Sequence, residues 1–570
     1  MPRIPGRPGG DRPGHGGSTP TRRRPSSADP AALGFTPRPP VRWLSPTELA
    51  RTAVSVVLSD IFGAYADKRE LQQCGVFEQG TFGHDRGGEI WLDFTADLGD
   101  GFDATYSVAS LLAAPGLEIG GVSLPRGEVL VLGGDEVYPV GSAESYEQRT
   151  TRVYAAALPE SAGPRPTLYA VPGNHDWYDG LTAFLRVFAQ QKTIGGWDTA
   201  QRRSYFALRL PGRWWLLALD IQLDAYIDQP QLAYFRTVAE QLSPGDGVIL
   251  CTAKPSWYQA GRGEEGSFRR LGYFAEQVLA GTGAHLRLVL TGDSHHYSRY
   301  TDEATGQTLL TAGLGGAYTS ATHLLPERLT IPSRLIAPGA PPEPVTYDRA
   351  ARTWPPQATS RREAAGVLGL PLVNPGFWAL LGAVQAAFVA SVLTRNVLSW
   401  VTTAVLIVVA AVWFADPERG GRWARVRYGL PHAAAQLLLG YAAYRVAAAL
   451  TGSWARWVAA VAATPAVMAV AGLAAAEITA VYLLLASRGG ANVNELFAAQ
   501  SRDDHKGFVR IHLRRDGDLR VYPVGIARPG RRWRANPDTA PGTPWLLPRK
   551  PLTPELIERP FTITREPPPA

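Results

Sequence analysis

The chain has 570 residues, 45% of them hydrophobic and 19% charged, with a formal net charge of +7. That length exceeds what one hydrophobic core usually serves, and the apolar excess lies after residue 375, so a water-soluble unit and a lipid-soluble unit are expected. Two cysteines, Cys74 and Cys251, exclude a disulfide framework and a four-thiolate zinc site, and no DNA- or RNA-binding signature accompanies the positive charge, so nucleic acid is not expected as a partner.

Residues 1–42 are rich in Pro, Gly and Arg, with too few large apolar side chains to offset the entropy of ordering, and read as a disordered tail. They lack the apolar region of a secretory signal. From Trp43 the pattern becomes globular and predicts a domain over 43–324. Apolar runs at 90–96, 129–132, 167–171, 213–220, 247–251 and 286–290 read as strands, several of them ending in Gly/Asp-rich turns, with a helix near 229–241. Residues 325–375 read as an irregular connector.

Four apolar stretches at 376–394, 397–414, 431–450 and 466–487 each approach the roughly 20 residues that cross a hydrocarbon core, predicting a transmembrane bundle over 376–487. The loop after the second stretch holds Arg419, Arg422, Arg425 and Arg427, which by the positive-inside bias makes it cytoplasmic and fits anionic lipid headgroups. With an even number of crossings, the N-terminal domain and both termini lie on that side. Within the spans, Arg445 and Glu477 are expected to pair, because a lone charge there is expensive. Over 488–535, alternation from Gly507 to Ile526 around Asp516-Gly517 signals a β-hairpin, expected to complete a sheet of the first domain. Residues 536–570 read as a Pro-rich tail.

The chemistry lies in short motifs after the strands: Asp97-Leu98-Gly99-Asp100, Gly134-Asp135-Glu136-Val137-Tyr138, Gly173-Asn174-His175-Asp176 and Gly292-Asp293-Ser294-His295-His296. Singly, each acid is a common turn former or helix cap. Together, in this order, the motifs resemble those of the calcineurin-like metallophosphoesterases, which run Asp-x-His, Gly-Asp, Gly-Asn-His-Asp/Glu, a lone His and Gly-His-x-His.

The resemblance, over about residues 85–320 and to a membrane-anchored branch, implies a four-layer α/β sandwich of two mixed sheets. It implies two divalent metal ions about 3.5–4 Å apart that activate a bridging hydroxide against a phosphate ester. Asp97 and His295 would bind the first ion, Asp135 would bridge, and Asn174 would bind the second. His175 would protonate the leaving oxygen, with Asp176 orienting it. The sequence departs from the pattern at three places: Gly99 and Asp293 stand where histidines belong, and Ala253 stands at the lone histidine's place. Asp293 is expected to substitute as an oxygen ligand and Asp100 to reach the first ion, while Lys254 and His296 are candidate phosphate contacts. An oxygen-rich shell favours Mn2+ or Mg2+ over Zn2+, with iron also compatible. The substrate expected is a phosphorylated small molecule or lipid-linked compound. Loss of the three histidines leaves a second reading open, a membrane-bound pseudoenzyme acting as a binding or regulatory module.

Overall fold

A computed structural model describes residues 33–51, 80–81, 88–221, 227–333, 335, 343–538 and 540–567. Residues 1–32 and Cys74 therefore lie outside the described residues. The strands expected from the apolar runs are present as β1 (Ile90–Thr95), β2 (Val129–Leu132) and β3 (Thr167–Ala170). After β4 (Phe206–Leu210) come β5 (Trp214–Leu219), β6 (Gly247–Thr252), β7 (His285–Thr291), β8 (Tyr297–Thr301) and β9 (Thr308–Ala312). Helix α1 (Phe102–Ala113) follows β1, and α2 (Gln229–Ala239) starts where the Asp228 carboxylate caps Gln231 and Pro230 fills the first turn.

The 325–375 stretch is not an irregular connector. It contains β10 (Arg328–Ile331) and β11 (Val345–Arg349), and β11 extends the sheet by pairing with β8. Likewise the segment before Trp43 is structured from residue 33: Leu33 and Phe35 are buried in the first core, and Phe102 N–H donates to the Arg38 carbonyl at 2.9 Å. Three large apolar residues in ten, Leu33, Phe35 and Val41, are few, but all are buried.

The chain has mixed α/β architecture with two large mixed sheets. β1, β2 and β3 are parallel neighbours. Next to β1 lies β12 (Lys506–Leu513), and next to that β13 (Leu519–Ile526), so the hairpin after the apolar helices pairs antiparallel with the first domain. The 536–570 stretch is not merely a tail, since its strands β14 (Pro554–Leu556) and β15 (Phe561–Ile563) pair with β13. The second sheet runs β4, β5, β6, β7, β9, β8, β11, β10, with the short strand Gly80–Thr81 outside β4.

Alternation along the strands explains the cores. Leu92, Phe94 and Val131 of the first sheet share one buried cluster with Leu216, Ile249 and Leu288 of the second. Leu130 and Leu132 face the other way onto Tyr106 and Leu112 of α1. Leu217, Leu250 and Val289 pack on Leu232, Phe235 and Val238 of α2.

Among the described residues, four helices are long and apolar enough to cross a membrane: α3 (Pro375–Leu393), α4 (Val397–Phe414), α5 (Gly421–Thr451) and α6 (Arg456–Gly489). α5 begins ten residues earlier than the apolar run, so Arg422, Arg425 and Arg427 stand on its first turns rather than in a loop. Arg445 and Glu477 do not pair: the Arg445 guanidinium donates to Tyr441 on its own helix at 3.2 Å, and no ion pair joins the two among the described residues. Arg445 is exposed on the bundle surface, where a long side chain along the helix meets an aromatic hydroxyl four residues back. After α6, the short helix α7 (Val493–Ala498) leads the chain back to β12.

Candidate functional site

The C-terminal ends of β1, β2, β3 and β7 lead into Asp97, Asp135, Asn174 and Asp293, so the topology gathers the sequence motifs at one edge of the two sheets. The local backbone is unusual. Asp97, Asp135, Asp293 and His295 all have positive φ, at 59°, 55°, 61° and 48°, a left-handed conformation that costs a non-glycine residue about 1–2 kcal/mol. Gly173 and Gly313 permit the close approach, because a Cβ on either would overlap the Asp135 or Asp97 carboxylate.

Asp97 is fully buried; its Oδ1 accepts from the Asp293 backbone N–H at 2.9 Å and its Oδ2 from that of His295 at 3.3 Å. Asp135 Oδ1 accepts from the His175 backbone N–H at 2.9 Å, and its Oδ2 from the Tyr138 hydroxyl at 3.2 Å. That hydroxyl also lies 3.0 Å from His295 Nε2, which joins the two motifs. One end of the Asn174 carboxamide lies 3.1 Å from Asp135 Oδ2 and 3.2 Å from Asp293 Oδ1, and Tyr178 meets the other end. With nitrogen toward the carboxylates, both contacts are hydrogen bonds. With oxygen toward them, three oxygens converge, an arrangement that needs a cation.

Burial first, and then mutual charge, pushes the Asp97 and Asp135 carboxyls well above the usual range. Burial also raises Asp293, with the Lys254 charge pulling it back. Such a set of acids is ionised together only when a positive charge joins it. Asp135, Asn174 and Asp293 are the residues that could hold that charge. Among the described residues, no group of three or more His, Cys, Asp or Glu side chains is disposed to hold a metal ion.

Other expected residues stand apart from this trio. Asp100 Oδ1 accepts from the Val41 backbone N–H at 2.7 Å, its Oδ2 is buried without a partner, and burial pushes it up to about 7. The His175 Nδ1–H donates to the Pro139 carbonyl at 2.6 Å, and burial pushes the imidazole down to about 4. Pro139, not Asp176, therefore orients the His175 ring: the Asp176 carboxylate accepts from the Gly173 N–H at 2.8 Å and from Tyr146, holding the turn. His296 donates from Nδ1 to the Ser294 carbonyl at 2.7 Å and has Nε2 3.1 Å from Ser298 Oγ, so both nitrogens are engaged within the protein. At Gly99 a Cβ would overlap the Glu136 carbonyl and lie 2.8 Å from Thr150 Oγ1, so this packing has no room for a histidine.

Lys506 escaped the sequence reading. It opens β12, is fully buried, and donates to Thr319 Oγ1 at 3.3 Å. Burial pushes it down to about 8, while Asp503, Asp504, Asp100 and Asp97 hold its charge. Only the neighbourhood of β12 and β1 reveals it. Trp43 and Tyr318, equally unassigned, enclose the site: Trp43 lies 5.5 Å from the His175 ring and Tyr318 lies 4.3 Å from that of His295.

No family model and no curated protein matches the chain. Among solved structures, GAP50, the anchor in the inner membrane complex of Plasmodium, is similar at 13% identity over 41% of this chain and 74% of that one, with a TM-score of 0.32. PhoD is similar at 12% identity over 40% of this chain and 58% of that one, with a TM-score of 0.27. Scores this low do not establish a shared fold.

Proposed function

We propose that the chain is a membrane-anchored, metal-dependent hydrolase of phosphate esters, its α/β body arranged as a four-layer sandwich with the site at the strand ends. The observation that carries this reading is the meeting of Asp135, Asn174 and Asp293 at 3.1–3.2 Å. These oxygen donors suit Mn2+ or Mg2+ better than Zn2+. A divalent ion held there would supply positive charge to phosphoryl oxygens and acidify water. The chain's own residues have separate tasks. Lys254, beside Asp293, attracts a phosphate, and Tyr138 fixes the Asp135 and His295 side chains together. Neutral His175 gives its Nδ1–H to Pro139, so its Nε2 would accept a hydrogen bond from the attacking water and does not protonate the leaving oxygen as expected from the motif. A second ion would need Asp97, His295 and Asp100, whose Oδ1 accepts from Val41 while its Oδ2 has no partner.

The body lies beside the α4–α5 connection, where Arg262 and Glu418 pair at 2.7 Å. The arginine bias then puts body and termini in the cytoplasm, with the lipid bilayer as partner and a phosphorylated small molecule or lipid-linked compound as substrate. A second reading, a binding module without turnover, is favoured by the packing that leaves Gly99 no room for a histidine.

The test uses the full chain in detergent, stripped with chelator and reloaded with MnCl2. Bound manganese and manganese-dependent cleavage of an aryl phosphate are expected, both lost in Asp135→Asn. Asn174→Ala is expected to lower metal affinity by more than the roughly 10–100-fold of an outer-sphere partner. Metal without turnover, or no bound metal, overturns the hydrolase and selects the binding module.

A further inference from the structure

A cavity of about 790 Å³ lies between the α/β body and the ends of the apolar helices, within the range that holds a small ligand or headgroup. Its walls come from three parts of the chain. Arg262 and Arg328 belong to the body, Arg419, Trp423 and Arg427 to the start of α5 and the turn before it, and Arg488 to the end of α6.

The charges there are unbalanced. Arg262 is answered by Glu418 at 2.7 Å and Arg328 by Asp348 at 3.0 Å. Among the described residues, no carboxylate lies within ion-pair distance of Arg419, Arg427 or Arg488. Among the described residues, Glu418 is the only acid on the cavity wall. The N-terminus of the 31-residue α5 adds its own positive pole. The depth is also informative: α4 ends at Phe414, α5 begins at Gly421, and Trp423 is 73% exposed, as an aromatic anchor at the headgroup level would be. Apolar Leu324 and Val493 line the same space, so it can take both a phosphate and the first carbons of a glycerol.

We propose that this cavity binds the phosphate of an anionic phospholipid headgroup, drawn sideways from the leaflet next to the body, and that Arg419, Arg427 and Arg488 hold it. The lipid then bridges body and bundle. This inference rests on the bilayer anchoring proposed above and not on the phosphoesterase reading.

The test is native mass spectrometry of the full chain in detergent, titrated with phosphatidylglycerol or phosphatidylcholine. One phosphatidylglycerol per chain, preferred at least tenfold over phosphatidylcholine, is expected. Arg427→Gln with Arg488→Gln abolishes the preference. Arg422→Gln with Arg425→Gln removes equal charge from the start of α5 but outside the cavity, and keeps it. Equal loss in both pairs would mean diffuse surface charge and would overturn the proposal, as would no preference in the parent chain. Displacement of the lipid by an equal concentration of glycerol 3-phosphate or inorganic phosphate would assign the cavity to a soluble phosphate and overturn the lipid. Vesicle flotation of each variant reports the anchoring separately.

Discussion

Asp97, Asp135, Asp293 and His295 were legible in the sequence as motif residues, but not their backbone conformation. All four have positive φ, and strain of this kind persists only where surrounding structure holds it, most often at functional sites. The hydrogen bonds of Asp97 to Asp293 and His295 are what hold it here. Further from the site, Glu495 on α7 is a half-buried acid whose enclosed Oε2 has no partner. Burial above all raises it to about 7. Because the folded state then binds the proton more tightly than the unfolded one, stability falls as pH rises from the ordinary carboxyl range through 7. Glu495→Gln is expected to leave thermal stability in detergent nearly unchanged at pH 4.5 and to raise it at pH 8 by on the order of 2–3 kcal/mol. An equal effect at both pH values would show that Glu495 does not titrate in this way.

The hairpin β12–β13 was readable from alternation around Asp516-Gly517, whereas its neighbour was not. Pairing with β1 buries Arg510 against Asp93, with Nε to Oδ1 at 2.7 Å and Nη2 to Oδ2 at 2.8 Å, both side chains almost without exposure. Removing one partner of such a pair strands the other charge, at about 3–5 kcal/mol. Asp93→Ala is therefore expected to lower the unfolding free energy by that amount, visible as a large drop in melting temperature. A drop worth less than about 1 kcal/mol would mean that water reaches Arg510. The stretches 325–375 and 536–570 misled for a common reason. Short strands at or beside a sheet edge, such as β10, β11, β14 and β15, carry only three to five residues each, too few for a period-2 pattern to stand out among prolines, and they form because a neighbouring strand offers unpaired amides.

At the scale of the molecule, the four apolar helices are an insertion within the first sheet rather than an appendage: the chain leaves the body before Pro375 and re-enters it at Lys506. Phe508, Val509, Ile511, Val521 and Val524 are all buried in the body's cores. Residues 33–374 alone would leave β1 as an apolar edge with Asp93 unpaired. Such a fragment is expected to be insoluble or to melt without cooperativity, and co-expression with residues 490–567 to rescue it. A soluble, cooperatively melting fragment would show that the body folds without the returning strands.

Composition and periodicity determined by themselves that the chain has an α/β part and an apolar helical part, because burial in protein or lipid imposes its pattern along each element separately. They also placed the motifs at strand ends. Only the tertiary structure decided that Pro139 orients His175, that Val41 takes Asp100, that Arg445 leaves Glu477 unpaired and that Lys506 enters the site. Each of these depends on which distant segments become neighbours, and local sequence carries no record of a contact made across hundreds of residues.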